Sequence, residues 1–528
     1  MDTAARQAAR RDTLQAAFRA LQAGQAEACE ARTRGLVEQD PDDIEAMLLF
    51  GLALGLRGAF AEAAPWLNRV GRARPFHDHP CRDLAGLLRR HGRPGTIPTL
   101  YRALLADDAR DHRLHEGLAD HLYEARRPEE AIAAAQDALD RAPDSVRAHT
   151  LRGVSLTELG RLEEAQAHFR RGTELDPRHG PSWANLAITL KVSGRIDEAL
   201  DCFRRAVEAR PEDLRVRINY ALALLQAGRM AQGWKEYEWR FRQPGRTPLP
   251  AARLLPTLST RGDLSGRIVL VEHEEGFGDT LQFLRYLPLL QQRGARVLAW
   301  VPQELARLVG RMPGVGVVTG NALPPYDYHC PFISLPRAFG TTVETIPGET
   351  PYLSADPAEA AIWARRLPPG RLRVGLAWAG QSRPWIPHFV TLDQRRSTSL
   401  AALAPLAAVE GAVFVSLQKG EPAAQAKAPP PGMALHDPMD EARDFATTAA
   451  IIANLDVVVS VDTSVVHLAG ALGKPVFLLD RVEHCWRWLH QREDSPWYPG
   501  LRIFRQERIG DWEPVVRRVA AALAAFRG

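Results

Sequence analysis

The sequence predicts an α-helical repeat solenoid followed by an α/β module of two parallel-sheet domains. Three observations predict it. Prolines and small residues recur with a 34-residue period from Pro41 to Pro211, a proline-rich break follows Arg242, and short apolar runs alternate with amphipathic stretches from Arg267 onward. At 528 residues the chain exceeds what a single core supports, so several domains are expected.

Composition narrows the function classes. Apolar residues at 45% and charged residues at 25% match ordinary globular usage and argue against extended disorder. The 67 Lys and Arg against 63 Asp and Glu leave +4, too small and too mixed to mark an electrostatic nucleic-acid binder. Cys29, Cys81, Cys202, Cys330 and Cys485 stand far apart, with no disulfide framework or zinc spacing. Met1–Gln22 intersperses Arg and Asp among alanines and reads as no secretory leader. The longest apolar runs, such as Val457–Val461 and Ala520–Ala525, are too short for about 30 Å of hydrocarbon. A cytoplasmic protein without a transmembrane segment is expected.

The first half is the repeat array. Pro41, Pro75, Pro143, Pro177 and Pro211 mark the ladder, with Ala109 in the one slot lacking proline. Ten positions after each slot stands a small residue, Gly51, Ala85, Ala119, Gly153, Ala187 and Ala221, which lets paired helices approach closely. Seventeen positions after each slot come Gly58, Gly92, Arg126, Gly160, Gly194 and Gly228, where a left-handed residue ends the first helix. A second small residue follows at Ala63, Ala131, Ala165, Ala199 and Gly233, with aromatics four later at Phe169, Phe203 and Tyr237.

These phased residues resemble the tetratricopeptide repeat, in about seven copies over residues 1–243, the first marked by Ala17 and Gly24. The resemblance implies helix-turn-helix units stacked into a superhelix whose groove holds a peptide or protein. The third repeat, with Ile97 and Ala109 in consensus slots, is the least regular, and a bend is expected there.

Gln243–Pro250 concentrates three prolines, so residues 244–256 read as a linker. Beyond it Ile268–Val271, Asp279–Gln292, Val297–Val301 and Pro302–Met312 read as β-α-β-α, a first domain over 257–355. The pattern restarts at Leu372–Trp378 and continues through Val413–Leu417, Val457–Val461 and Pro475–Leu479, a second domain over 356–528. Its C-terminal helix, about Glu513–Phe526, is expected to return to the first domain. Two facing Rossmann-like domains with a cleft between them, joined near Pro351–Leu353, resemble the GT-B arrangement of many glycosyltransferases. Fold by itself does not establish chemistry.

The first motif is Glu274–Pro288, between a strand and its helix. Gly276 and Gly278 permit close backbone approach of a ligand, and Asp279 and Thr280 stand where a helix starts. Asp279 alternatively caps that helix. Gly-Asp followed by an apolar helix ending in Leu-Pro resembles the N-domain signature of heptosyltransferase-like enzymes, and the resemblance implies that Asp279 is the general base on the acceptor side.

The second motif is Val461–Pro475, which follows an apolar strand and opens a helix. Asp462, Thr463 and Ser464 place polar groups at a positive helix end that favours a diphosphate, and His467 lies in the same turn. A buried His467 on an ordinary capped helix is the alternative. The run resembles the heptosyltransferase diphosphate motif Asp-Thr-Gly-x-x-His-x-Ala, with Ser464 in place of the glycine. Weaker candidates at the same sheet edge are Arg383 in Gly375–Pro384, Arg396 with Ser397, Lys419 in Ser416–Gly420, and Asp444; each is equally a surface charge or a helix cap. Trp486, Trp488, Trp497 and Tyr498 read as core packing in a block similar to the C-terminus of bacterial repeat-containing glycosyltransferases.

The resemblance spans nearly the whole chain and implies a transferase using a nucleotide-diphospho-sugar. An inverting mechanism with no metal and no cofactor is expected, with Asp279 catalytic and Asp462, Thr463, Ser464 and His467 on the donor diphosphate. A protein acceptor held by the repeats is the expected partner, as in repeat-containing protein O-glycosyltransferases and flagellin-modifying enzymes. The alternatives are transfer to a lipid-linked or cell-surface glycan, and a non-catalytic repeat scaffold with a degenerate transferase half.

Overall fold

The computed structural model describes residues 3–74, 78–243, 249–258, 262–381 and 393–526. The chain divides into two compact units, Met1–Ser193 with Asp201–Pro211, and Gly194–Leu200 with Glu212–Gly528. Among the described residues no helix is long and apolar enough to cross a membrane.

The first unit is a helical tetratricopeptide-repeat solenoid. Along the chain the described residues form seven helix pairs, from Thr3–Gln22 with Ala26–Gln39 to Leu214–Gln226 with Met230–Tyr237. The small-residue ladder is buried, with Ala63, Ala119, Ala131, Ala165 and Ala187 fully inaccessible. Close approach is what selects these residues: a Cβ on Gly153 would lie 2.5 Å from the Phe169 ring, and one on Gly51 2.8 Å from Leu67 Cδ2. The slot that ends each first helix is left-handed throughout, and Arg126 adopts φ 60° there without being glycine. Irregularity falls in the third repeat, where Cys81–Arg90 has only ten residues and a 3-10 turn at Pro94–Thr96 precedes Ile97–Asp107. Pro75 lies outside the described residues.

The second unit contains two all-parallel sheets. β1 (Ile268–Glu272), β2 (Arg296–Trp300), β3 (Val315–Val318) and β4 (Tyr328–Pro331) are ordered β3-β2-β1-β4. β5 (Leu372–Ala377), β6 (Ala412–Ser416), β7 (Leu435–His436), β8 (Val457–Val461), β9 (Val476–Asp480) and β10 (Leu501–Arg505) are ordered β10-β9-β8-β5-β6-β7. The central strands are apolar runs buried on both faces, as parallel strands covered by helices require. In the second sheet the chain leaves β5 toward β6 and β7, then crosses back to β8, so the order reverses between β5 and β8. In open parallel sheets such a reversal, at the carboxyl ends of the two strands, is where ligands bind.

Three expectations are corrected. The C-terminal helix Glu513–Ala525 does not return to the first sheet: Val515, Val516, Val519 and Leu523 join a core with Leu372, Phe477 and Phe504 of the second. The linker is docked over its described part, because Leu255 is fully buried and its N–H donates to the His329 carbonyl at 2.8 Å. The expected cleft is bridged, since one continuous core takes in Val269 and Val271, Val458 and Val466, and Trp234 of the last repeat.

Candidate functional site at the carboxyl edges of the two sheets

β1 delivers the first motif. The chain turns at Gly276 and enters the helix Phe277–Phe283, whose third residue is Asp279. Asp279 Oδ2 accepts from the Gly276 N–H at 2.9 Å, so the capping alternative describes one carboxylate oxygen. The other oxygen accepts from Nη2 of Arg487. Thr280 is not open to a ligand: it is buried, and its hydroxyl bonds Nδ1 of His273 at 2.7 Å.

β8 delivers the second motif. Thr463 is the N-cap of the helix Ser464–Ala471, its hydroxyl accepting from the Val465 N–H at 3.3 Å and lying 3.1 Å from the Ser460 hydroxyl. Asp462, Thr463 and Ser464 are all half-buried. The first N–H groups of such a helix have no intrahelical partner, and its positive end favours an anion.

The two motifs meet. A Cβ placed on Gly278 would lie 2.8 Å from Cδ2 and 3.4 Å from Nε2 of His467, and 3.5 Å from Cα of Ser464. Gly278 is therefore glycine because the two helix starts touch, a reason distinct from the expected approach of a ligand. His467 is buried, with Nδ1 on the Tyr498 hydroxyl at 2.9 Å and its ring stacked on Trp488 at 5.6 Å. Burial, reinforced by the Arg487 and Arg285 charges, pushes its pKa well below the usual histidine range. It is a neutral imidazole whose Cδ2–Nε2 edge faces Gly278, not an exposed cation.

The remaining candidates divide. Asp444 caps the helix Phe445–Ile452 and is gripped by Arg307 through two bonds of 2.9 Å, which fastens the second sheet's domain to the first. Lys419 donates to the Met439 carbonyl. Both are engaged in the scaffold, as the cap and surface-charge alternatives describe. Arg396 packs its guanidinium against Gly380, pairs with Asp393 at 3.0 Å and donates to the Gln381 carbonyl at 3.0 Å. Arg383 lies outside the described residues.

Sequence reasoning missed three polar groups. Gln418 is buried, accepts from the N–H groups of Trp378 and Ala379 at 2.9 and 2.8 Å, and donates to the Ala379 carbonyl at 2.9 Å. It ties the β6 loop to the glycine turn after β5. Asp480, at the end of β9, is buried beside Asp462 and paired with Arg505 at 2.9 Å. Burial pushes its carboxyl up to about 7, with Arg505 pulling down and Asp462 pushing further up. Arg487 reaches Asp279, donates to Gln282 Oε1 at 2.6 Å and to Cys485 Sγ at 3.1 Å, and lies over Trp486 at 4.4 Å. Its signal was a lone arginine in Trp486–Trp488, which the density of aromatics masked.

Those aromatics are core. Trp234 of the last repeat meets Trp486 edge to face at 5.2 Å, Trp486 meets Trp497 at 6.3 Å, and Trp497 meets Phe283 at 5.8 Å. The buried Arg285 donates to the carbonyls of Trp497 and Pro347 at 2.6 and 3.0 Å, holding this block against the first domain. In the first unit a cavity of about 790 Å³ is lined by Arg10, Arg11, Leu14, Phe18, Leu48 and Leu49 among others, with Phe18 51% exposed.

Comparison with known proteins bears on the repeats. The tetratricopeptide-repeat family matches residues 98–145, 116–179 and 185–236. Protein FlbA of Caulobacter vibrioides (strain ATCC 19089 / CIP 103742 / CB 15) is 31% identical over 330 residues, 56% of this chain and 53% of that protein. The chain thus spans about half the length of this curated relative. Among solved structures, MamA 41-end from Desulfovibrio magneticus RS-1 is 12% identical over 31% of this chain and 95% of its own, at a TM-score of 0.29. YrrB, described as a TPR protein with an unusual peptide-binding site, is 17% identical over 35% and 95%, at 0.26. This chain carries tetratricopeptide repeats followed by an α/β region with two parallel sheets.

Proposed function

We propose that the α/β region is a GT-B glycosyltransferase that moves a sugar from a nucleotide-diphospho-sugar to an acceptor hydroxyl, with protein as the acceptor. The supporting observation is the meeting of the two helix starts, Gly278 against His467 and Ser464, at the carboxyl edges of two parallel sheets. Separately each motif is an ordinary strand-to-helix turn. Together they put one carboxylate, Asp279, beside one anion-favouring helix end.

In this reading the donor diphosphate lies at Thr463 and Ser464, stabilised by the helix end. His467 Nδ1 shares a hydrogen bond of 2.9 Å with the Tyr498 hydroxyl, and with Tyr498 taken as its donor the neutral imidazole carries its proton on Nε2, at the contact between the two helix starts. The acceptor enters from the first domain. Its O–H gives the proton to Asp279 as the oxygen attacks the anomeric carbon. The bond from that carbon to the diphosphate oxygen breaks, the electron pair leaves with the nucleoside diphosphate, and the configuration inverts. Fixed dipoles and the nearby Arg487 meet the leaving-group charge, so the scheme is metal-independent. The repeats supply the protein or peptide surface, and the cavity around the exposed Phe18, with Leu14, Leu48 and Leu49, suits an apolar segment.

A second reading, a non-catalytic scaffold, is favoured by the engagement of both Asp279 oxygens. Hydrolysis and transfer assays over a panel of nucleotide-diphospho-sugars separate the two. The transferase reading expects turnover that Asp279→Asn lowers by roughly 10²- to 10⁴-fold, the range for a general base. Near-normal transfer by that variant removes Asp279 from the role, and no turnover of any donor favours the scaffold.

A further inference from the structure

We propose that Arg487 is the cation that receives the donor's diphosphate, and that until a donor arrives it holds Asp279 idle, so that the donor binds before the acceptor. The proposal rests on the nucleotide-sugar reading above and adds to it a binding residue and an order of binding.

Three observations carry it. Both oxygens of Asp279 are engaged, Oδ1 by the Arg487 guanidinium and Oδ2 by the Gly276 N–H, and pairing with a guanidinium makes a carboxylate a weaker base for an acceptor proton. Arg487 is placed by rigid neighbours, with Trp486 in the aromatic core on one side and Trp488 stacked on His467 on the other. The charge of Asp462 acts on Arg487, and that of Arg487 on His467, so the guanidinium stands within electrostatic reach of the second motif as well as the first.

The side chain is suited to exchange partners. A guanidinium has five N–H donors, and those that Arg487 gives to Gln282, Cys485 and Asp279 leave others unassigned. A diphosphate at Ser464 carries more charge than one carboxylate and offers the paired oxygens that a guanidinium fork matches. Once Arg487 turns to it, Asp279 keeps its cap through Oδ2 while Oδ1 loses its cationic partner and becomes the stronger base toward the acceptor. An acceptor that arrives before the donor meets a carboxylate still paired with Arg487, so the donor must bind first.

The test is a double-mutant cycle read by calorimetry on the full chain. The probes are inorganic pyrophosphate, UDP, GDP and ADP, and the tightest is used. Arg487→Gln is expected to weaken binding by roughly tenfold to hundredfold, as loss of a charge-assisted hydrogen bond does. Asp279→Asn, isosteric and still able to cap Gly276, is expected to strengthen binding by about threefold or more, because Arg487 is released. In the Arg487→Gln background that gain falls below about twofold. Arg487→Lys, which keeps the charge without the fork, recovers part of the affinity and stands in should Arg487→Gln fail to fold. A gain from Asp279→Asn that persists without Arg487 reflects simple repulsion and overturns the interlock, as does Arg487→Gln binding like the wild type. Both of those results leave the donor reading intact. Binding of no probe by the wild type overturns the proposal and the donor reading together.

Discussion

Asp480 shows how one buried side chain makes stability depend on pH. It sits at the end of β9, paired with Arg505 and next to Asp462, and its carboxyl titrates near 7 instead of in the usual acid range. Between about pH 4 and 7 the folded chain holds a proton that the unfolded chain has released. Stability from this group is therefore full at the acid end and lost as pH rises through the folded value. Asp480→Asn removes the titration. Relative to wild type, the variant is expected to gain on the order of 2–4 kcal/mol between about pH 5 and pH 8, measured by denaturant unfolding. A difference between the two proteins that does not change with pH contradicts the assignment. None of this was legible in the sequence, where Asp480 is the last letter of an apolar run. Asp279, Thr463 and Ser464 were legible as a strand-to-helix pattern, because glycine, acid and hydroxyl at a helix start have few other uses. The partners of Asp279 and His467, Arg487 and Tyr498, lie in a distant aromatic block, and no local spacing links that block to the motifs.

The repeat helices show what periodicity reveals and what it hides. The small-residue and glycine ladders located every turn, since packing and backbone sterics admit few residues there. Another ladder went unread: Asp43, Asp111, Ser145, His179 and Asp213 each cap the helix that follows, again at multiples of the same spacing. Mixed residue types concealed it, and histidine is an unusual cap. The last helix pair, Leu214–Gln226 and Met230–Tyr237, is built into the α/β unit. Arg240 beyond it is buried and grips Glu274 of the first motif through bonds of 2.6 and 2.9 Å, and Gln226 bonds His484 at 2.8 Å. The sequence boundary at 243 therefore cuts through a packed interface. Arg240→Ala strips the buried Glu274 carboxylate of its bidentate partner and is expected to cost about 3–5 kcal/mol, read from tryptophan fluorescence in denaturant. A loss below about 1 kcal/mol contradicts the view that this repeat belongs to the module.

Over the whole molecule, the alternation of apolar runs identified β1, β2, β5, β6, β8 and β9, whereas β3, β4, β7 and β10 escaped. β7 has two residues and β3 is half-buried throughout, so neither carries a strong pattern. Tertiary packing decided the rest, including the helix Glu513–Ala525, which stays with the second sheet, and the core that joins the two sheets. What the chain order does specify is the reversal between β5 and β8, which puts Gly380 and Ser464 at neighbouring strand ends. The account depends on an anion being held there. Diffraction from crystals of the full chain soaked with the tightest-binding nucleoside diphosphate tests this most directly. The account predicts diphosphate oxygens within hydrogen-bond reach of the Ser464 N–H and the Thr463 hydroxyl, with the Arg487 guanidinium turned toward them. A nucleotide seated elsewhere, with Arg487 still on Asp279, contradicts it.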